Sequence, residues 1–212
     1  HLRHSMADLM DSMKLASFMS EWLIKIVIDG DLTDEAFQPT QHALERLGLP
    51  LQTGYDVYKL DRPYGAGIAR NYALACCDNW TTDKTSNLIT FMDADDVAMP
   101  WWARTIVWPA MIHTQAGATG DPFVYANSIS EGPSPTNGRT VRWGWPLVPS
   151  TSIREALQTN NVMLTTGICT TPRLLQEAGG FEPHLVCGED GNLWRRVSEL
   201  TLWDRVLATY YG

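Results

Sequence analysis

The sequence predicts an α/β sandwich around a mostly parallel, mixed sheet. Two observations carry that prediction. Short, β-branched apolar runs alternate with stretches of helical periodicity, the order expected when helices cover both faces of a sheet. Two of those runs also end abruptly in acidic turns, Asp29-Gly30-Asp31 and Asp93-Ala94-Asp95-Asp96. The carboxyl ends of strands are where open α/β sheets bind ligands.

The elements follow in order. Ser5 is an N-cap, and Met6, Leu9, Met10, Met13 and Phe18 recur at helical spacing, so a helix runs from Ser5 to about Met19. Leu23 to Ile28 is a buried strand. Thr33 to Leu47 is helical, interrupted by Pro39 and stopped by Gly48 and Pro50. Val57 to Leu60 is a short strand, and Gly65-Ala66-Gly67 leads into a helix over Ile68 to Cys77. Leu88 to Met92 is a second buried strand, and Pro100 opens the next helix at its first turn. Phe123 to Ile129 and Thr140 to Trp145 are strands on either side of a Gly/Pro/Ser/Asn loop. Val162 to Thr170 is a strand, and Pro172 to Ala178 a short helix closed by Gly179-Gly180. Glu189 to Leu200 is the last helix and Arg205 to Tyr211 the last strand.

Composition narrows the class. The 212 residues are 44% hydrophobic and 19% charged, ordinary globular usage that excludes a disordered, collagen-like or coiled-coil chain. The length suits a single domain over 1–212. A net charge of −8 gives no general attraction for nucleic acid or an anionic membrane. No apolar run reaches the ~20 residues of a transmembrane helix. Four cysteines without CxxC spacing read as reduced thiols in a cytoplasmic setting. The sequence starts at His1 and stops inside a strand, so it reads as a piece of a longer chain.

The chemistry gathers at the acidic turns. If their strands are parallel neighbours, Asp29, Asp93 and Asp95 converge at one edge. Carboxylates crowded there need a cation or donors, and hard oxygen ligands suit Mg²⁺ or Mn²⁺ shared with substrate phosphates. A solvated acidic turn is the plainer reading of D-x-D; a third Asp after a buried strand favours the cation. Gly67 and Arg70 stand at a helix start, where an anion is favoured and Arg adds a bidentate donor. A tight loop with a surface Arg is the alternative. Glu189 and Asp190 open the last helix, either complementing its dipole or supplying a general base. Trp143 and Trp145 share one strand face and suit either sugar stacking or core packing. Trp194 reads more readily as core or rim packing.

Taken together, the blocks Ile26–Asp34, Gly67-Ile68-Ala69-Arg70-Asn71, Phe91–Asp96 and Gly179-Gly180-Phe181-Glu182 followed by Gly188-Glu189-Asp190, Leu193 and Arg195 or Arg196 resemble the family-2 glycosyltransferases. The match runs from about residue 5 to 211. The resemblance implies a GT-A, Rossmann-like α/β/α fold and transfer of a sugar, with inversion, from a nucleotide-diphosphate sugar. UDP-sugar is the default donor, and the acceptor is a hydroxyl of a glycan, a lipid-linked sugar or a protein. It divides the chain into a donor-binding half, 1–131, and an acceptor-binding and catalytic half, 132–212. Asp29, Asp31, Gly67, Arg70 and Asp93 would bind the donor, and Asp93 and Asp95 would hold Mn²⁺ or Mg²⁺. Asp190 would be the catalytic base, with Glu189 beside it positioning the acceptor or donor sugar, and Trp143, Trp145 and Trp194 would meet the acceptor. The protein would be cytoplasmic, or peripheral at the inner membrane face. The sequence departs from the family pattern in lacking its first apolar strand, in reading Asp-Gly-Asp-Leu after the next one, and in stopping early. A non-catalytic nucleotide- or glycan-binding module and a sugar-phosphate nucleotidyltransferase are the alternatives.

Overall fold

A computed structural model describes residues 22–30, 53–77, 87–96, 98–126, 129–133, 140–144, 154, 157 and 163–207. The helices expected over 5–19 and 33–47 lie outside the described residues, as do the ends of several strands.

Strand β1 (Trp22–Ile28) pairs in parallel with β2 (Thr53–Lys59), with Ile28 opposite Lys59. The two strands therefore end together, and the Leu60 N–H still donates to the Ile28 carbonyl at 3.0 Å. Helix α1 (Ala66–Ala75) follows and packs on β1. Strand β3 (Ile89–Thr90) is shorter than the expected 88–92: Phe91, Met92 and Asp93 have left the ladder. Helix α2 (Trp102–Gln115) is next, then β4 (Pro122–Ala126) and an antiparallel hairpin of β5 (Ile129–Pro133) with β6 (Thr140–Gly144). Strand β7 (Ile168–Thr170), helices α3 (Pro172–Glu177) and α4 (Glu189–Leu200), and β8 (Trp203–Leu207) complete the order.

The larger sheet runs β3-β7-β4-β8. Strand β7 is antiparallel to both neighbours, whereas β8 is parallel to β4. Strand β4 shows why helices must lie on both faces. Phe123 and Tyr125 point into a core with Leu174, Leu175, Phe181, Leu193, Trp194 and Val197 from the α3–α4 side. Val124 and Ala126, one residue out of phase, pack on Ile106, Val107 and Ala110 of α2. All four are buried, so β4 reads as a continuous apolar run between two helical layers.

The expected strand over 162–170 is corrected. Residues Thr165–Gly167 form a 3₁₀ turn, and the strand starts only at Ile168. The Thr166 hydroxyl bonds outside any ladder, competition that such side chains offer to strand pairing. Gly167 also sits so close to β4 that a Cβ there would meet the Ala126 carbonyl at 2.4 Å.

Candidate active site

The N-terminal turns of α1 are the hub of the site. Asp29, just past β1, accepts from the Tyr64 and Gly65 N–H groups, each at 2.7 Å. One carboxylate thus fixes the loop that feeds the helix. Gly65 (φ 97°) begins α1 with no side-chain cap, leaving first-turn amides open to an anion.

Arg70, in the same helix, reaches two acids far away in sequence. Its guanidinium donates to Asp93 Oδ1 at 2.7 Å and to Glu189 Oε1 at 2.9 Å, and lies over the Phe181 ring. Arg70 and Glu189 are largely buried, and Asp93 is about a third exposed. Gly67 makes room for this arrangement, since a Cβ on it would come to 3.1 Å from Glu189 Cγ. The acidic turn after β3 and the start of α4 are therefore tied to one side chain. Asp29 bonds the loop before α1 and Asp93 bonds Arg70 within it, while β1 pairs with β2 and β3 with β7, so the expected neighbouring of the two acid-bearing strands is not seen among the described residues.

Within the acidic turn, Asp95 is exposed. Asp96 turns back to accept from the Thr166 hydroxyl. Burial pushes the Asp96 carboxyl up from its ordinary range; the Thr166 hydrogen bond opposes this and the charges of Asp93 and Asp95 add to it. Among the described residues, no three acids, histidines or cysteines gather to hold a metal by themselves. Asp93 and Asp95 still fit a divalent cation of the kind that takes one or two carboxylates and completes its shell with water and substrate phosphates.

Helix α4 starts after Gly188, whose φ of 72° is easy only for glycine. Glu189 and Asp190 occupy its first turn, both partly buried. Asp190 Oδ1 accepts from the Gly191 N–H at 2.6 Å. The preceding Gly179-Gly180-Phe181 turn is clamped from both sides. The Asn71 carboxamide donates to the Phe181 carbonyl at 2.7 Å and accepts from the Phe181 N–H at 2.9 Å. On the other side, Arg196 donates to the carbonyls of Ala178 and of Gly180, the latter at 2.7 Å. Sequence reasoning gave Asn71 and Thr166 no role. The one signal for the clamp was the pair of glycines, both at positive φ.

Trp194 is corrected as an acceptor contact. It has no exposed surface, and its ring lies 5.7 to 6.1 Å from the rings of Phe181, Phe91 and Phe123. No face remains for a sugar. The Trp143 side chain, and Asp31 and Trp145 entirely, lie outside the described part of the structure. All four cysteines are free.

The architecture is that of the GT-A, Rossmann-like α/β class. Among solved structures, S. aureus TarS residues 1–349 superpose with a TM-score of 0.56 at 14% identity, covering 90% of this chain and 59% of that one. A further S. aureus TarS structure gives 0.55 at 14% identity, covering 90% of this chain and 36% of that one. The chain thus spans less than two thirds of either. No curated protein matches its sequence. The pattern of glycosyl transferase family 2 matches residues 5–173, and the chain belongs to that family.

Proposed function

We propose that the chain is the core of a metal-dependent, inverting glycosyltransferase. It takes a sugar from a nucleoside-diphosphate sugar, UDP-sugar by default, and gives it to a hydroxyl of a glycan, a lipid-linked sugar or a protein. The observation that carries this reading is the double ion pair of Arg70 with Asp93 and Glu189. It brings an acidic turn suited to a cation–diphosphate next to a helix start bearing a candidate base.

Residues 1–131 would bind the donor: Asp29 and Asp31 toward the nucleoside, and Gly67 and Arg70 with the open amides of α1 toward the diphosphate. Asp93 and Asp95 would hold Mg²⁺ or Mn²⁺, which supplies neutralisation of charge on the departing diphosphate. Residues 132–212 would serve the acceptor, with Trp143 and Trp145 as stacking candidates. Asp190 takes the acceptor hydroxyl proton while that oxygen attacks the anomeric carbon opposite the diphosphate. The carbon–diphosphate bond breaks as the new glycosidic bond forms, and the configuration inverts. Glu189 acts through Arg70 to hold the helix start in place. No helix among the described residues is long and apolar enough to cross a membrane.

Asp190→Asn tests the assignment. Losing a positioned base lowers turnover about 10²–10⁴-fold, and donor affinity should not move with it. Near-full turnover by the variant would remove Asp190 from the role.

A further inference from the structure

We infer that Thr166 is a positioning residue that sets the geometry of the Asp93–Asp96 turn for a metal-bound diphosphate. The inference rests on the donor-site reading above. Strand β7 runs antiparallel to β3, with Cys169 opposite Thr90. The residues just before β7 therefore lie beside those just after β3, although more than seventy positions separate them in sequence. Thr166 uses that placement in three directions. Its hydroxyl accepts from the Asp93 N–H at 3.2 Å and donates to the Asp96 carboxylate. Its carbonyl accepts from the Trp102 indole N–H at 2.9 Å, tying the turn to the start of α2.

A hydroxyl can donate and accept at once, which no aliphatic side chain can do. It holds the main chain at Asp93 and draws Asp96 inward, so that Asp93 and Asp95 are the acids left to face a cation. The turn is also closed on itself, with the Asp96 N–H donating to the Asp93 carbonyl at 3.1 Å. Nor can Thr166 shift readily to follow a displaced turn. It is buried, and the next residue is Gly167, packed against the Ala126 carbonyl. Partners standing behind metal ligands in this way fix the orientation of those ligands.

The test compares Thr166→Ser with Thr166→Ala in the 212-residue chain; these variants differ only in the hydroxyl. The diphosphate is whichever of UDP, GDP, CDP or dTDP stabilises the wild type in the presence of Mn²⁺. Mn²⁺ is then titrated calorimetrically at a fixed concentration of it, below the unfolding midpoint of the weakest variant. Thr166→Ala should lose roughly 10- to 100-fold in Mn²⁺ affinity, the usual effect of removing such a partner, while Thr166→Ser stays close to wild type. Near-UV circular dichroism and urea midpoints of the ligand-free variants should be alike, which a general loss of structure would not allow. If Thr166→Ala does not fold, Thr166→Val, which keeps the side-chain volume, replaces it against the wild type. Equal Mn²⁺ affinity with and without the hydroxyl would overturn the inference. Absence of any Mn²⁺-dependent response in the wild type would overturn the donor-site reading, and this inference with it.

Discussion

Replacing Asn71 with Ala should destabilise the chain by about 2–6 kcal/mol, because it leaves two backbone groups unpaired and each such buried group costs roughly 1–3 kcal/mol. The Asn71 carboxamide satisfies both the N–H and the carbonyl of Phe181. Phe181 is 1% exposed, so water has little access to take over either bond. For a domain of this size the loss corresponds to a fall in Tm of roughly 5–25 °C. Gly180 provides the cross-check. It sits at φ 70°, and a Cβ there would stand 2.9 Å from Asn71 Oδ1. Gly180→Ala therefore carries left-handed strain, roughly 1–2 kcal/mol, plus a clash with Asn71. In the Asn71→Ala background the clash disappears and only the strain remains. Urea denaturation of the wild type, both single variants and the double variant gives the coupling directly. The double variant should be more stable than the sum of the single losses implies, by about 1 kcal/mol or more. Strict additivity, or an Asn71→Ala loss under about 0.5 kcal/mol, would refute the clamp.

Other outcomes follow from the same structure. Arg70→Met should weaken diphosphate binding and lower the Tm, because it strands two carboxylates at once; Arg70→Lys should recover only part of either, since an ammonium lacks the planar fork that spans both acids. Isothermal titration and a melting curve on each variant check this, and a neutral Arg70→Met would show that the ion pairs matter to neither. Burial pushes the Cys169 thiol up to about 12. Iodoacetamide at pH 8 should therefore leave Cys169 unmodified in the native chain and reach it only after unfolding, while exposed Cys187 reacts at once. Peptide mass spectrometry separates the two sites.

Much of this was legible in the sequence because it is local. Periodicity marked β1, the helix starting near Gly67 and the helix Glu189–Leu200, and acids directly after apolar runs marked the candidate site proposed above. What stayed hidden depends on pairs remote in the chain. Arg70 and Glu189 are 119 positions apart, and Asn71 and Phe181 are 110 apart. No spacing rule joins them; only the packing of α1 against the turn before α4 does. Trp194 illustrates a different limit. An aromatic residue in an amphipathic helix reads more readily as core than as a sugar platform, but only its neighbouring rings decide, and here Phe91, Phe123 and Phe181 enclose it. Thr166 reads as an ordinary strand residue because threonine favours strands. The bonds that take it out of the ladder come from an acidic turn whose position relative to β7 is a matter of topology.

The central claim is a cation-dependent nucleoside-diphosphate site at the Asp93–Asp96 turn beside Arg70. Thermal unfolding of the chain against UDP, GDP, CDP and dTDP, each with and without Mn²⁺, tests it most directly. A ligand that binds only the folded chain raises its Tm with the logarithm of ligand concentration over Kd. One diphosphate should raise the Tm only when Mn²⁺ is present, and Asp95→Ala should abolish that rise without lowering the Tm of the ligand-free chain. No rise with any diphosphate, or a rise that Asp95→Ala leaves intact, would contradict the claim.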